Sequence, residues 1–334
     1  MPRRTHPMRL RLGLFGTVVP AITTRHSPAC LETMDNKPMK TPCRFALAAT
    51  LSAASILAHA GGHYVPGVEG IQAASVPPPG MYYLGYLVNY SIDELRAPGS
   101  SNTVPLNNTG TVSALANRLV YISSSELLGA NYGVEAIVPV LRKSLNFNAP
   151  GISESGSGVG DVYLGPLVLG WHGSNWDAVA AAGLWFDTAS SDRPSSPGNG
   201  YKSTMLTGGV TYYFDAAKTW TGSALARYEM NSAQSNDFKP GNQVSLEWGF
   251  GKSLGAVQVG VVGYDQWQTS DDTGPGATSD RGERHAIGVE VVYPLMKEAG
   301  VMLKAAYYDE YSAKGGSGAQ PKGSTLRFTF VKAF

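Results

Sequence analysis

Downstream of residue 80, apolar and polar side chains alternate with period two along most of the chain. Val244, Leu246, Trp248 and Phe250 interleave with Gln243, Ser245, Glu247 and Gly249. That gives an extended strand one apolar and one polar face, whereas a helix would scatter the same residues around its circumference. The pattern recurs in Tyr82, Leu84, Tyr86, Val88 and Tyr90, in Leu206, Gly208, Val210, Tyr212 and Phe214, and in Ile287, Val289, Val291 and Tyr293. It is weakest in 158–172, aliphatic on both faces, and in 176–187, where Ala178 to Gly183 is small on both, so flanking turns define those strands.

Cutting at the Gly, Pro, Ser, Asn and Asp clusters predicts twelve strands: 80–92, 111–124, 129–142, 158–172, 176–187, 200–214, 219–230, 242–252, 256–269, 283–293, 299–311 and 323–334. The predicted connections alternate in length without exception. Those at 93–110, 143–157, 188–199, 231–241, 270–282 and 312–322 are long; those at 125–128, 173–175, 215–218, 253–255 and 294–298 are short. All long loops therefore fall on one rim. Strands of 11 to 15 residues exceed the usual length of about 5–6 in globular proteins. A soluble sandwich or jelly roll has no reason to segregate its hairpins by rim.

No run of eighteen apolar residues follows residue 60, which excludes a helical membrane protein and leaves the closed barrel as the fold that satisfies its backbone in lipid. The prediction is an all-β, transmembrane, up-and-down antiparallel β-barrel of twelve strands in the bacterial outer membrane. Its short turns and both termini are expected in the periplasm. Trp171, Trp176, Tyr212, Phe214, Trp220 and Tyr293 lie beside the predicted short turns, as an interfacial girdle requires.

Composition agrees. Only 15% of the 334 residues are charged and 40 are glycine, against about 25% charged and about 7% glycine in ordinary soluble domains. The first sixty residues hold 8 of the 26 Lys and Arg and both cysteines, Cys30 and Cys43. From Met39, Lys40 and Arg44 precede an apolar stretch from Phe45 to Leu57 and the small-x-small site Ala58-His59-Ala60, which reads as a Sec-type signal peptide cleaved after Ala60. Residues 1–38 are then an extension upstream of the effective start, or an unusually long basic region. Thr-Pro before Cys43 is no lipobox. Residues 61–334 carry 18 Lys and Arg against 23 Asp and Glu, a formal charge of −5, and no basic patch that would imply nucleic acid as partner.

If the aliphatic and aromatic rows face lipid, the opposite rows face the lumen. That assigns Arg118, Glu135, Asp161, Arg227, Glu229, Glu247, Arg284, Glu290, Lys304, Glu310 and Arg327 inward, with Tyr83, Met302 and Tyr308 among them. On the lipid face a midplane Arg or Lys would cost about 2–4 kcal/mol. Two readings stay open: the charges pair into a network that fills the barrel, or they line a pore of mixed sign and little ion selectivity. Residues 61–79 end in Pro77-Pro78-Pro79, which cannot join a ladder; they form a Pro-rich periplasmic leader, or a plug that folds into the mouth and gates it. The barrel proper is 80–334.

Phe328, Phe330 and the final Phe334 share one face of the last strand, resembling the carboxyl-terminal signal read by the outer-membrane barrel assembly machinery, with Lys332 as a departure. A wider resemblance is carried by Pro66-Gly67 with Glu69-Gly70-Ile71, Pro78-Pro79-Gly80 before Tyr82-Tyr83, Leu128-Gly129-Ala130-Asn131-Tyr132-Gly133 with Pro139, Gly158-x-Gly160-Asp161, and Pro166 before Gly170-Trp171. In that order they resemble the outer-membrane channel family named for the meta-pathway of phenol degradation. The resemblance implies an outer-membrane protein that admits hydrophobic or aromatic solutes.

Catalysis finds little support. His63, His172 and His285, the three histidines after residue 60, are far apart, and HExxH, Gly-x-Ser-x-Gly and P-loop motifs are absent. Gly156-Ser157-Gly158-Val159-Gly160 leads into a strand and reads as a turn. Asp271, Asp272, Asp280 and Glu283 lack EF-hand spacing and read as a solvated loop. The sequence therefore predicts a passive channel for small hydrophobic or aromatic compounds, with no enzyme activity, cofactor or metal. The competing class is a non-transporting barrel: an adhesin, a structural protein or a hydrolase.

Overall fold

The computed structural model describes residues 62–334; the signal peptide and upstream extension expected at 1–60 lie outside the described residues. Thirteen strand segments follow in chain order: β1 (Gly80–Arg96), β2 (Asn108–Leu127), β3 (Ala130–Phe147), β4 (Ile152–Val159), β5 (Val162–His172), β6 (Trp176–Phe186), β7 (Ser203–Tyr213), β8 (Trp220–Asn231), β9 (Gln243–Leu254), β10 (Val257–Gln268), β11 (Glu283–Met296), β12 (Val301–Lys314) and β13 (Gln320–Ala333). Each pairs antiparallel with its neighbours, and β1 pairs with both β2 and β13, closing the sheet.

The thirteen segments make twelve staves, because β4 and β5 are two parts of one. The upper half of β3 pairs with β4 (Val140↔Val159 to Phe147↔Ile152) and its lower half with β5 (Asn131↔Gly170 to Ile137↔Tyr163). Opposite the break stands Pro139, which has no N–H to give. Gly160 still donates to the Pro139 carbonyl at 2.8 Å. Asp161 then accepts from the backbone N–H groups of Thr188, Ala189 and Asn199 at 3.0, 3.0 and 2.8 Å, which ties the bend to the β6–β7 loop.

Two predicted long loops are corrected. Residues 143–157 form a hairpin extension of β3 and β4 turned at 148–151, and the predicted 312–322 connection shrinks to 315–319 between β12 and β13. Ladder hydrogen bonds continue in these polar stretches beyond the apolar alternation that marks the membrane, so hydrophobic period alone ends the strands too soon. The loops 97–107, 187–202, 232–242 and 269–282 remain long and share the rim opposite the turns at 128–129, 173–175, 214–219, 255–256 and 297–300.

The outer surface is apolar: Leu119, Tyr121, Val210, Phe250, Val289, Tyr293 and Phe328 are all exposed. In water this belt would far exceed the patches soluble monomers tolerate, whereas in lipid it is the solvated face. Trp176, Tyr212, Phe214, Trp220 and Tyr293 are exposed near the short turns, and Trp220 stacks on Phe250 with centroids 5.4 Å apart. Among the described residues no helix is long and apolar enough to cross a membrane. The molecule is a closed twelve-stranded outer-membrane barrel.

Strand β1 reverses the expected faces. Tyr86, Val88 and Ile92 are buried while Met81 and Leu87 are exposed, so its richer apolar row points inward. The strand ends Gly80 and Phe334 share the short-turn rim, where the Phe334 N–H donates to the Met81 carbonyl at 3.0 Å.

Candidate functional site

Residues 62–76 run inside the barrel instead of stopping at its mouth. Gly62 donates to Gln243 Oε1 at 3.0 Å, near the long-loop end of β9, and Val76 packs with Val120, Ile122 and Val168 toward the short-turn rim. An irregular chain in a lumen must find partners for its backbone N–H groups. Wall side chains supply them. Glu229 accepts from His63 and Tyr64 at 2.9 and 3.1 Å, Glu247 from Glu69 at 3.0 Å, and Glu290 from Ile71 at 2.6 Å. Ser223 and Thr211 accept from Ala73 and Ala74 at 3.2 and 3.3 Å. These acceptors lie on β7, β8, β9 and β11, so the leader is laced to one side of the barrel.

Two glycines make this approach possible. Gly70 has φ +81, and a Cβ there would sit on the Glu290 carboxylate; a Cβ at Gly249 would lie 2.6 Å from the Ile71 Cα. Arg327, fully buried, donates to the carbonyls of Gly67 (3.2 Å) and Val68 and pairs with Glu290.

A second cluster lies across the middle. Glu69 Oε1 accepts from Arg118 at 3.1 Å and Arg227 at 2.6 Å, while Arg118 pairs with Glu135 at 2.6 Å. Arg227 also donates to the Tyr64 hydroxyl at 2.6 Å, and that hydroxyl bonds Glu247. Beside the leader lie two cavities, lined mainly by β1, β2, β3, β5 and β6 with side chains from β7, β8 and β10 to β13 completing them. The one toward the short turns has about 430 Å³ and walls from Val76, Tyr82, Leu84, Val120, Val179 and Met302. The one toward the long loops has about 310 Å³, with Val88, Ile137, Leu141 and Trp185 among its lining. Glu69, Arg118, Glu135 and Arg227 line both and form an ion-paired neck that the two have in common.

Of the residues assigned to the lumen, Glu135, Asp161, Arg227, Glu229, Glu247, Glu290, Glu310, Arg327 and Tyr308 are buried. Arg118, Lys304 and Met302 line the lower cavity and Arg284 the upper. Tyr83 is the exception: it shares the outward face of β1 with Met81 and Leu87 and lies 6.4 Å from Phe330. Its assignment fails because it was inferred from a reversed row. Phe328, Phe330 and Phe334 are exposed on the outside. Glu69, His63 and Lys143 were missed; Glu69 was visible only as part of the family-like leader motif.

His63 sits between Glu229 (Nδ1 3.1 Å) and Asp161 (Nε2 3.3 Å), near Ser203 Oγ at 3.0 Å and stacked on Trp185. Burial pulls its pKa down, but hydrogen bonds and charge from Asp161 and Glu229 outweigh this and raise it to about 9. Its ring is therefore an imidazolium at neutral pH, tied on both sides, and cannot take a proton from the buried Ser203 hydroxyl. His172 and His285 pair with Asp177 and Asp265 at 2.9 and 2.7 Å. In the acidic loop expected to be solvated, Asp272 is buried and accepts from Gly241 N–H at 2.7 Å. Among the described residues no group of three or more His, Cys, Asp or Glu is placed to hold a metal.

This architecture is that of an outer-membrane β-barrel with an internally bound leader. The family model described as "Putative MetA-pathway of phenol degradation" matches residues 92–324, and the chain belongs to that family. Among solved structures, an outer membrane channel from Pseudomonas putida F1 is 16% identical, with TM-score 0.69, covering 81% of this chain and 100% of that one. The β domain of the Bordetella autotransporter BrkA is 14% identical over 77% of this chain and 100% of that one, with a TM-score of 0.45 too low to argue from. No curated protein matches.

Proposed function

We propose that the protein is a passive outer-membrane channel for small hydrophobic or aromatic compounds, serving aromatic degradation and performing no chemistry of its own. The observation that carries this is the pair of apolar-walled cavities, about 430 and 310 Å³, that lie beside the leader with Glu69, Arg118, Glu135 and Arg227 lining both. Cavities of this size suit single-ring molecules, and the family's link to phenol degradation supports the same substrate class. Phe328, Phe330 and Phe334 serve the barrel assembly machinery after Sec-type export, and the short-turn rim with Gly80 and Phe334 faces the periplasm. The leader at 61–79 acts as plug and gate.

Deleting the gene should slow growth of the host on dilute aromatic carbon sources and leave growth on succinate unchanged, with recovery from a plasmid copy. Equal growth of both strains would overturn the reading. Liposome swelling with graded polar solutes separates a channel, which gives rates that fall with solute size, from an adhesin or structural barrel, which gives none.

A further inference from the structure

The leader divides the charges of the lumen unequally. Glu229, Glu247 and Glu290 are spent on its backbone N–H groups, and none of the three lines either cavity. The charged lining of the lower cavity is Arg118, Arg227, Lys297 and Lys304 against Glu69 and Glu135. The upper cavity carries Arg118, Arg227, Arg284 and Lys143 against Glu69, Glu135 and Asp161; Arg284 pairs with Glu310 at 3.7 Å and the His63 imidazolium is held between Asp161 and Glu229, which leaves Lys143 outside any ion pair. A mature chain of net negative charge thus presents a net positive passage. Both carboxylates of the neck are already committed to Arg118 and Arg227. Lys304 Nζ donates to the Glu69 carbonyl at 3.5 Å and feels the Glu69 carboxylate from beyond ion-pair distance. Among the described residues, neither Lys304 nor Lys143 has a carboxylate within ion-pair distance.

We propose that the passage takes small aromatic anions, such as arylcarboxylates and phenolates. The apolar walls hold the ring. Lys143, the neck arginines and Lys304 offer successive positive stations to the anionic group, with Lys304 as its counter-ion in the lower cavity. The leader creates this preference by covering the acidic wall. Mixed signs along the strands would by themselves give little selectivity; selectivity follows from which charges are left facing the path. This inference rests on the channel reading and names its solute class.

The test is the zero-current potential of the full mature protein in planar bilayers. Under a sodium benzoate gradient the sign should be that of anion preference. With benzoate opposed to chloride, benzoate should be the more permeant, although it is the slower ion in free solution. Lys304→Gln should lower the benzoate-to-sodium permeability ratio by about fivefold, the scale of one charge at contact distance in water. Removing residues 62–76 should swing the potential toward cations, since it uncovers Glu229 and Glu247 while Glu290 keeps its pair with Arg327. A wild-type potential that is unselective or cation-preferring, chloride favoured over benzoate, or no effect of Lys304→Gln overturns the inference and leaves the channel reading standing. If the leaderless protein does not fold, Lys304→Gln decides. Absence of any current defeats the channel reading itself.

Discussion

Arg327 shows what a charge inside this barrel has to accomplish. Its side chain is fully buried, and its two terminal guanidinium nitrogens are taken up by two leader carbonyls and by Glu290 while Nε has no partner. Removing one member of such a pair strands the other in a site of low polarity. Glu290→Ala should therefore destabilise the barrel by about 3–5 kcal/mol. The measurement is the temperature at which the detergent-solubilised protein loses its compact, fast-migrating form on gels, and it should fall clearly below that of the wild type. His63 makes a pH-dependent counterpart. Its pKa lies above the ordinary value of 6.5 and reaches about 9, so its contribution is complete below about pH 6.5 and is lost as pH rises through about 9. Trp185, stacked on His63 with centroids 5.5 Å apart, reports the change. Its fluorescence should shift near pH 9, and the transition should vanish in His63→Gln.

The leader is an element without secondary structure, held by side chains instead of a ladder. Its bonds go to side chains of β7, β8, β9, β11 and β13 and, through Glu69 and His63, to Arg118 of β2 and to Asp161, so it can be displaced without breaking any strand pairing. Deleting 61–78 is expected to raise single-channel conductance in planar bilayers; an unchanged conductance would end the gating idea. Gly70→Ala tests the same point more gently. A Cβ at φ +81 against Glu290 is both strained and crowded, so the substitution should loosen the leader and increase channel opening while the gel transition stays near that of the wild type. The β3–β4 hairpin is an element of the opposite kind, a regular ladder that projects past the predicted strand ends and is joined by only 148–151.

At the scale of the molecule, stability comes from closure and from lipid. The β1–β13 seam runs from Tyr82↔Ala333 to Arg96↔Gln320 and leaves no edge strand to aggregate. The apolar belt is exposed all around, which requires that the protein leave the membrane only with detergent. The unheated protein should migrate faster on gels than the boiled one, and solubility without detergent would contradict the whole architecture. Inside, the lumen is shared between the leader and two cavities that have one ion-paired cluster in common, so one barrel both carries a plug and leaves space beside it.

Backbone geometry is local, and the sequence determined what depends on it. Alternation with period two is visible within ten residues; it placed all twelve staves, the rim of most long loops and the inward charges from Arg118 to Arg327. Which way a row faces is not local when both faces of a strand are apolar, and so β1 was read in reverse and Tyr83 misplaced. The lumen's contents are less local still. Arg327 meets Gly67 across 260 positions of sequence, and Glu290 meets Ile71 across 219. No periodicity records that a leader will lie along β7 to β13, cover their carboxylates and leave the cations facing an apolar passage. Only closure of the barrel brings those residues together, and it turns a nearly balanced list of charges into a path with a sign.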